Sequence, residues 1–290
     1  MKRFTYHENV GSKVAVFMRY CRKIFQLEKE KLLCRDEDRK IRTRDKIVSI
    51  KDTFKKKDFP HFFSENPSGK VAVYTAVFGD YDKIKPIGTR SPRCDYYLIT
   101  DQKVDPELGW TIKEVTFPKS IACESQAIKN RYCKMHPHIL FPEYEYSLYL
   151  DGVMEPKYDL FPLLGRMGER FLGMYRHYTR DCIYDEAQTV VRIGKADKEA
   201  VDKLMAEYRS QGFPEHFGLT AGGIILRKHH SDECKKIMNE WWNMYLNGPK
   251  RDQLSLMYCM WENGYSLSDI ADLGIDYMID PRLVSEGHNR

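Results

Sequence analysis

A short apolar run that stops at a single acidic residue constrains this chain more than any other feature. Residues 146–150 read Tyr-Ser-Leu-Tyr-Leu, and Asp151-Gly152 follows at once. Such a run is typical of a strand that helices cover on both faces. In open α/β sheets ligands bind beyond the carboxyl ends of the strands, so Asp151 is predicted to face a crevice. A carboxylate there suits Mg²⁺ or Mn²⁺ carrying phosphates, and an ordinary turn residue is the alternative interpretation.

Length and composition indicate a globular protein with one large core, or one core with an appendage. The 290 residues are 42% hydrophobic and 31% charged. The sequence contains no apolar run of about 18 residues, so no transmembrane helix is predicted. The N-terminus is not followed by the apolar stretch of a secretory signal, and the eight cysteines contain no CxxC pair. We therefore predict a cytoplasmic protein with reduced thiols.

The positive charge is concentrated in an N-terminal segment, 1–66. Residues 1–60 contain 18 Lys and Arg against 9 Asp and Glu, a balance of +9, whereas the rest of the chain has a balance of −4. Apolar residues at helical spacing within it predict one or two basic amphipathic helices. This surface can contact anionic lipid, peripherally on the inner face of a membrane, or a protein partner. A helix packed on the main domain with a solvated basic face is the favoured alternative.

The remainder, 67–290, is predicted to be one α/β domain with a mainly parallel central sheet flanked by helices. Strand-like and helix-like segments alternate along it, which is typical of such a sheet. Predicted strands span 71–78, 94–100, 111–117, 146–150, 171–175 and 221–226. Predicted helices span 122–135, 197–210, 231–246 and 252–262.

Acidic residues and turn glycines follow three of these strands, at Gly79–Asp82, at Asp101 and at Asp151-Gly152. The carboxyl ends of parallel strands share one edge of a sheet, so the three loops are expected to line a common crevice. The sequence contains neither GxGxxG after the first strand nor GxxxxGK[ST]. Bound phosphates would therefore have to be held by a metal ion and by side chains. Arg131 or Lys134 on the preceding helix can contact a diphosphate, or can simply face solvent.

Two further segments are rich in reactive side chains. After the strand at 171–175 come His177, Arg180 and Glu186, where an imidazole and a guanidinium can contact phosphate and a carboxylate can act as a base. Asp252-Gln253 opens a predicted helix, so Asp252 is a candidate base and also a candidate helix cap. Structural roles are the alternative for each of these residues.

Five motifs occur together and in order: FGDYD at 78–82, NRYCKMHPH at 130–138, YLDG at 149–152, HYTRDCIYDEA at 177–187 and RDQLS at 251–255. With them, residues 70–265 resemble the glycosyltransferase-like domain of plant mucilage and pectin biosynthesis proteins and of bacterial capsular or lipopolysaccharide biosynthesis proteins. The resemblance implies a GT-A-like nucleotide-sugar-binding fold with a divalent cation near the acidic motif. Val153 stands where many such enzymes carry the second carboxylate of a DxD motif.

The resemblance and the residue chemistry together predict a site that binds a nucleoside diphosphate sugar and a saccharide acceptor. The expected donor is UDP-linked. The predicted donor-binding residues are Phe78, Gly79, Tyr81, Asp101, Arg131, Lys134, Asp151, Gly152, His177, Arg180 and Gln253. Asp151 and the late His288 are the predicted Mn²⁺ or Mg²⁺ ligands. If the reaction inverts the configuration of the sugar, Asp252 or Glu186 is the predicted base for an acceptor hydroxyl.

Two other classes of function compete with this hypothesis. A noncatalytic glycan- or protein-binding module would keep the same sheet and crevice, and the missing second carboxylate favours it slightly. Nucleic-acid binding is suggested only by the N-terminal charge, whereas the α/β body is net acidic and contains no recognised nucleic-acid module. No nucleic-acid partner is therefore expected.

Overall fold

The structure, a computed structural model, describes residues 69–274, 276–278, 280 and 282–285, with residues 21, 24, 25, 27–29 and 31–33. Most of the predicted N-terminal segment lies outside these residues. The described part of that segment is helical, as expected from its apolar spacing. Leu27 is buried there, whereas Phe25, Leu32 and Leu33 are exposed.

Strands and helices alternate from residue 71 onward. The strands are β1 (Val71–Val77), β2 (Cys94–Thr100), β3 (Thr111–Ile112), β4 (Tyr146–Leu150), β5 (Met154–Pro156), β6 (Leu172–Arg176), β7 (Thr220–Lys228), β8 (Ile270–Asp272) and β9 (Leu283–Ser285). The helices are α1 (Lys119–Ala122), α2 (Gln126–Met135), α3 (Pro137–Leu140), α4 (Ile183–Arg192), α5 (Lys198–Ser210), α6 (Asp232–Asn247) and α7 (Leu256–Glu262). Short 3-10 turns span Pro106–Leu108, Phe161–Arg166, Asp252–Leu254 and Leu267–Asp269. Among the described helices, none has both the length and the apolar character needed to cross a bilayer.

The central sheet has the strand order β3-β2-β1-β4-β7-β6-β8, and β5 pairs with β9 in a separate two-stranded sheet. Four of the six central pairings are parallel, and β7 runs antiparallel to both β4 and β6. The predicted α/β fold with a mainly parallel central sheet is confirmed. Because β7 is reversed, its first residues lie at the same edge as the carboxyl ends of β1, β2, β4 and β6.

Two apolar cores cover the two faces of the sheet, which explains why the central strands read as nearly continuous apolar runs. Along β1, Ala72, Tyr74 and Ala76 pack into one core, and Val71 and Val73 pack into the other. All seven residues of this strand are buried. Side chains that alternate between two covered faces remove the polar alternation of a half-exposed strand.

Several predicted elements end earlier, begin later or break in the middle. The strand predicted at 111–117 is only the two exposed residues of β3, which pair with the outer side of β2. The helix predicted at 122–135 is interrupted, because Ser125 caps a new helix by accepting a hydrogen bond from the Ile128 amide at 3.4 Å. The helix predicted at 252–262 begins as a 3-10 turn and becomes α-helical at Leu256.

Candidate active site

The loops after β1, β2 and β4 lie together at one edge of the sheet. The Gly79 amide donates a hydrogen bond to Asp101 Oδ1 at 2.8 Å, which joins the first two loops. A Cβ placed on Gly152 would lie 3.1 Å from Asp82 Oδ2, so the third loop touches the first. Gly79 has φ of 59° and faces the Gln126 side chain, so only glycine suits that turn without strain.

The side chains of the first loop differ in their access to a ligand. Phe78 is buried and packs edge-on against Phe117, with 5.9 Å between ring centroids. Tyr81 is 52% exposed, and the Asp101 residue is also exposed. Phe78 therefore supports the loop from beneath, while Tyr81 and Asp101 lie at the surface where a ligand can reach them.

Asp151 sits where β4 ends, and the neighbouring strand fixes its backbone. Its amide donates to the Gly223 carbonyl at 2.8 Å, and its own carbonyl accepts from the Met154 amide at 2.8 Å. The side chain is 32% exposed, and Oδ1 lies 3.7 Å from Lys134 Nζ. The carboxylate is thus held at the sheet edge beside Lys134 and stays partly open to solvent.

A buried charge cluster lies beside Asp151 and joins α2 to the 3-10 turn at Asp252–Leu254. Asp252 Oδ2 lies 2.7 Å from Lys134 Nζ and 2.9 Å from Arg131 Nε, and the Arg131 contact lacks the alignment of a hydrogen bond. Burial alone would raise the pKa of Asp252, but Arg131, Lys134 and Arg251 outweigh it and hold that pKa well below its usual range. The carboxylate stays ionised and fixes two cations next to Asp151.

Aromatic rings enclose the lysine of this cluster. Lys134 Nζ lies 5.3 Å from the Tyr149 ring centroid and 5.8 Å from that of Trp241. The Trp241 indole N–H donates to the Asp252 carbonyl at 2.8 Å, which holds the turn against α6. The Lys134 side chain is only 2% exposed, so its ammonium can influence a ligand at Asp151 only through its electric field.

Gln253 fastens the same turn to the start of β7. Its side-chain amide donates to the Thr220 carbonyl at 2.6 Å, and its Oε1 accepts from the Gly222 amide at 3.4 Å. The side-chain amide thus donates one hydrogen bond to the β7 backbone and accepts one from it, as the backbone of a residue in a neighbouring strand would. The predicted donor-binding residue Gln253 therefore also positions Asp252.

A second cluster follows β6 and contains the other predicted donor-binding residues. Arg180 Nε donates to Glu186 Oε2 at 2.5 Å, and His177 Nε2 lies 3.7 Å from the same oxygen. His177 Nδ1 accepts from the Arg180 amide at 3.1 Å, so the ring proton belongs on Nε2. Glu186 is buried, with its side chain 4% exposed. Arg180 therefore already occupies Oε2 of this carboxylate. Asp252, whose pKa is lowered by its cationic partners, is a weak base.

Burial, followed by the positive charges of Arg180 and Arg251, lowers the pKa of His177 to about 4. Burial likewise lowers the pKa of His136 to about 4 and that of His229 to about 3. The unfolded chain binds protons at these residues below about pH 6.5, whereas the folded protein does not until the pH approaches the lowered values. Folding stability therefore falls as the pH drops through this interval.

We expect the free energy of unfolding to decrease steadily from pH 7 to pH 5, measured by urea denaturation. In His177→Asn the amide oxygen can replace Nδ1 as an acceptor. This variant is expected to reduce the slope of the free energy of unfolding against pH, by an amount equivalent to up to about one proton bound on unfolding. An unchanged slope in this variant would contradict a neutral, buried His177.

The sequence did not single out two residues that the structure brings to this edge. Arg251 lies inside the RDQLS motif, and its buried Nε has no hydrogen-bond partner among the described residues. Its charge acts on Asp252 and His177, so it lies between the two clusters. Tyr277 comes from the C-terminal segment and packs near Asp151. The motif offered a signal for Arg251, but no local pattern marks Tyr277.

The residues at Asp151 fit a divalent cation only in company with a phosphate ligand. Among the described residues, no group of three or more His, Cys, Asp or Glu side chains could hold a metal ion. Mg²⁺ commonly takes one or two carboxylates and completes its shell with phosphates and water. Lys134 lies close to Oδ1, which leaves Oδ2 as the oxygen better suited to a cation. His288, the other predicted ligand, lies outside the described residues.

Comparison with known proteins places the chain among glycosyltransferase-like domains. More particularly, it belongs to the TOD1/MUCI70 glycosyltransferase-like domain family, whose model matches residues 62–266, more than two thirds of the chain. The resemblance predicted for residues 70–265 is thereby confirmed.

The individual relatives are longer proteins and share low sequence identity with this chain. The probable hexosyltransferase MUCI70 of Arabidopsis thaliana is 25% identical, over 55% of this chain and 32% of its own length. The apo structure of the bifunctional glycosyltransferase WbbM gives a TM-score of 0.43 at 12% identity, over 72% of this chain and 40% of that one. GlyE of Streptococcus pneumoniae TIGR4 gives 0.35 at 16% identity, over 69% and 45%. The chain thus spans about a third of the plant relative.

Proposed function

We propose that this protein is a glycosyltransferase that moves a sugar from a nucleoside diphosphate sugar to a saccharide acceptor. A UDP-linked donor is the leading expectation, and the proposed product is a surface polysaccharide such as a capsule or lipopolysaccharide. The observation that carries the proposal is the partly exposed Asp151 carboxylate beside the buried Lys134 and the partly buried Arg131, at the strand-end edge of a glycosyltransferase-like domain.

The strand order suggests how the donor lies along this edge. The nucleoside would contact the loops after β1 and β2, where Gly79, Tyr81 and Asp101 lie. The diphosphate would follow at Asp151, after β4. The sugar would then extend toward β7 and Gln253, because β7 is the next strand in the sheet. This order supports a division of the predicted donor-binding residues into three groups, which would contact the nucleoside, the diphosphate and the sugar.

The buried cluster would act on the leaving group through charge. When the bond between sugar and diphosphate breaks, negative charge grows on the departing diphosphate. Lys134 and Arg131 provide positive charge that is already in place, and Asp252 keeps both side chains fixed. A divalent cation, when bound at Asp151, supplies Lewis-acid neutralisation of the same charge. Because Asp252 and Glu186 are both paired with cations, we propose positioning roles for both.

A thermal-shift panel tests the donor site. UDP, GDP, CDP, ADP and CMP would each be added with and without Mn²⁺. One nucleoside diphosphate is expected to raise the melting temperature, and more strongly with Mn²⁺, because a cation held by Asp151 would attract the phosphates. Stabilisation by none of the five, with or without the metal, would contradict the proposed donor site.

Nucleotide binding alone would not exclude a noncatalytic module that kept the same sheet. Turnover of a nucleotide sugar separates the two hypotheses, since only an enzyme breaks the bond between sugar and diphosphate. Release of free nucleoside diphosphate by the wild-type protein supports the enzyme. Binding without any release, with or without saccharide acceptors, supports the module.

We also propose that the N-terminal segment attaches the protein to the anionic inner face of a membrane. Phe25, Leu32 and Leu33 are 75%, 84% and 74% exposed, and residues 1–60 carry a charge balance of +9. Exposed apolar side chains on a basic segment favour binding at an interface, and anionic lipid strengthens it.

The protein is therefore expected to sediment with vesicles that contain phosphatidylglycerol and to remain unbound with phosphatidylcholine alone. High salt should release it, because charges near the surface are screened. Leu32→Ser with Leu33→Ser should weaken binding, whereas Ile193→Ser, a change at an exposed apolar residue of the main domain, should not. Equal binding to both vesicles would argue against the membrane contact.

A further inference from the structure

The C-terminal segment after β8 is anchored next to the Asp151 turn. Strand β9 pairs with β5, which begins three residues after Asp151. The buried Asp280 accepts from the Tyr175 hydroxyl at 2.6 Å and forms an ion pair with Arg282 at 2.5 Å. The Arg282 carbonyl in turn accepts from the Lys157 amide at 2.8 Å. These bonds fix the C-terminal end of a short stretch that contains Tyr277, and the pairing of β8 with β6 fixes the other end.

This anchoring places Tyr277 over the start of β7, beside Asp151. A Cβ placed on Gly223 would lie 3.4 Å from Tyr277 Cζ and 3.3 Å from Asp151 Oδ2. The phenol and the carboxylate therefore meet over the same glycine, and a larger residue at 223 would press on both. The Tyr277 ring also lies edge-on to Tyr175, with 6.0 Å between centroids, and the residue is only partly buried.

The Tyr277 side chain combines a hydroxyl group with an aromatic ring. The phenol O–H can donate a hydrogen bond to an oxygen, and the ring offers an apolar face. Both properties suit a pyranose, which presents hydroxyl groups around its rim and C–H groups on its faces.

We infer that Tyr277 forms a wall of the pocket for the transferred sugar, so that the C-terminal segment completes the donor site. This inference rests on the proposed function. Along the strand order, the nucleoside loops lie on one side of Asp151 and Tyr277 lies on the other, over β7. The family match ends at residue 266, so this wall comes from residues beyond the matched region. Tyr277 is thus a candidate determinant of which sugar this chain accepts.

The test compares two ligands on the full chain: the nucleoside diphosphate found in the thermal-shift panel, and the same nucleotide carrying a hexose. Calorimetry gives both affinities for the wild type, Tyr277→Ala, Tyr277→Phe and the exposed control Tyr158→Ala. Tyr277→Ala is expected to lose about tenfold in affinity for the nucleotide sugar and to bind the bare diphosphate unchanged, since a ring contact contributes about this much. Tyr277→Phe should retain most of the affinity, because it keeps the ring.

Each outcome has a distinct meaning. A Tyr277→Ala protein that binds both ligands as the wild type does would overturn the sugar wall and leave the proposed function intact. Equal losses for both ligands would also overturn it, because they would indicate a general structural role. Failure of the wild type to bind either ligand would overturn the proposed function and this inference with it. Should the alanine variant not fold, Tyr277→Leu, which retains bulk without the ring, gives the same comparison.

Discussion

Replacing Asp151 with asparagine is expected to lower the turnover of the nucleotide-sugar donor by about 10²–10³-fold, the range typical for loss of one preorganised group that stabilises charge. The substitution removes the negative charge that would hold a cation and keeps nearly the same side-chain shape. The side chain is 32% exposed and its backbone bonds to Gly223 and Met154 remain, so the fold should be unaffected. Steady-state kinetics with the preferred donor measures the loss, and a melting curve checks the fold.

Asp232→Asn is the matched control for this substitution. That carboxylate is fully exposed at the start of α6 and contacts only Lys235, at 3.3 Å, among the ion pairs described. Its kinetics should equal those of the wild type. Retention of full activity by Asp151→Asn, with unchanged dependence on Mn²⁺, would show that the Asp151 carboxylate has no part in the reaction.

Asp252→Asn is expected to destabilise the protein by about 3–5 kcal/mol, the usual result of removing one partner from a buried ion pair. Lys134 and Arg131 would then remain inside the protein without their shared carboxylate, and their side chains are only 2% and 25% exposed. Urea unfolding at neutral pH measures the change. Acid should remove the same stabilisation, because Asp252 has a lowered pKa: the contribution is present above about pH 3.9 and is lost as the pH falls below it.

The surface pair Lys228–Glu145 is the comparison, with a separation of 3.5 Å and side chains 49% and 53% exposed. Glu145→Gln should change the free energy of unfolding by less than about 1 kcal/mol, because solvent screens the pair. A similarly small effect of Asp252→Asn would mean that the cluster does not hold Lys134 and Arg131 in place, and the proposed charge stabilisation would lose its physical basis.

The elements marked by local patterns could be predicted from the sequence. Strand β4 has the predicted bounds, and Asp151 lies at the strand-end edge, because an apolar run followed by Asp-Gly carries its own stop signal. The α/β class follows from the same alternation of strand and helix. The break at Ser125 was missed, although a serine that caps a helix is a visible signal. The 3-10 start of the helix predicted at 252–262 was also missed, and Ser255 makes no side-chain cap there.

The rest depends on contacts between residues distant in the chain. Lys134 was predicted either to face solvent or to touch phosphate, and instead it is buried against Asp252, 118 residues later. No local pattern distinguishes a solvent-facing lysine from one whose carboxylate partner comes from another element. The reversed direction of β7 brings Gly222 and Gly223 to the site, and the C-terminal anchoring brings Tyr277. Both depend on the topology of the whole domain.

The most direct test of the proposed function measures the release of nucleoside diphosphate from a panel of nucleotide sugars. Chromatography detects the release, and the wild-type and Asp151→Asn proteins are assayed in parallel. We predict that the wild type consumes one class of donor, faster when a saccharide acceptor is present, and that the variant consumes it at least about 100-fold more slowly. Equal release by the two proteins, or none by either with any donor and acceptor, would contradict a glycosyltransferase site centred on Asp151.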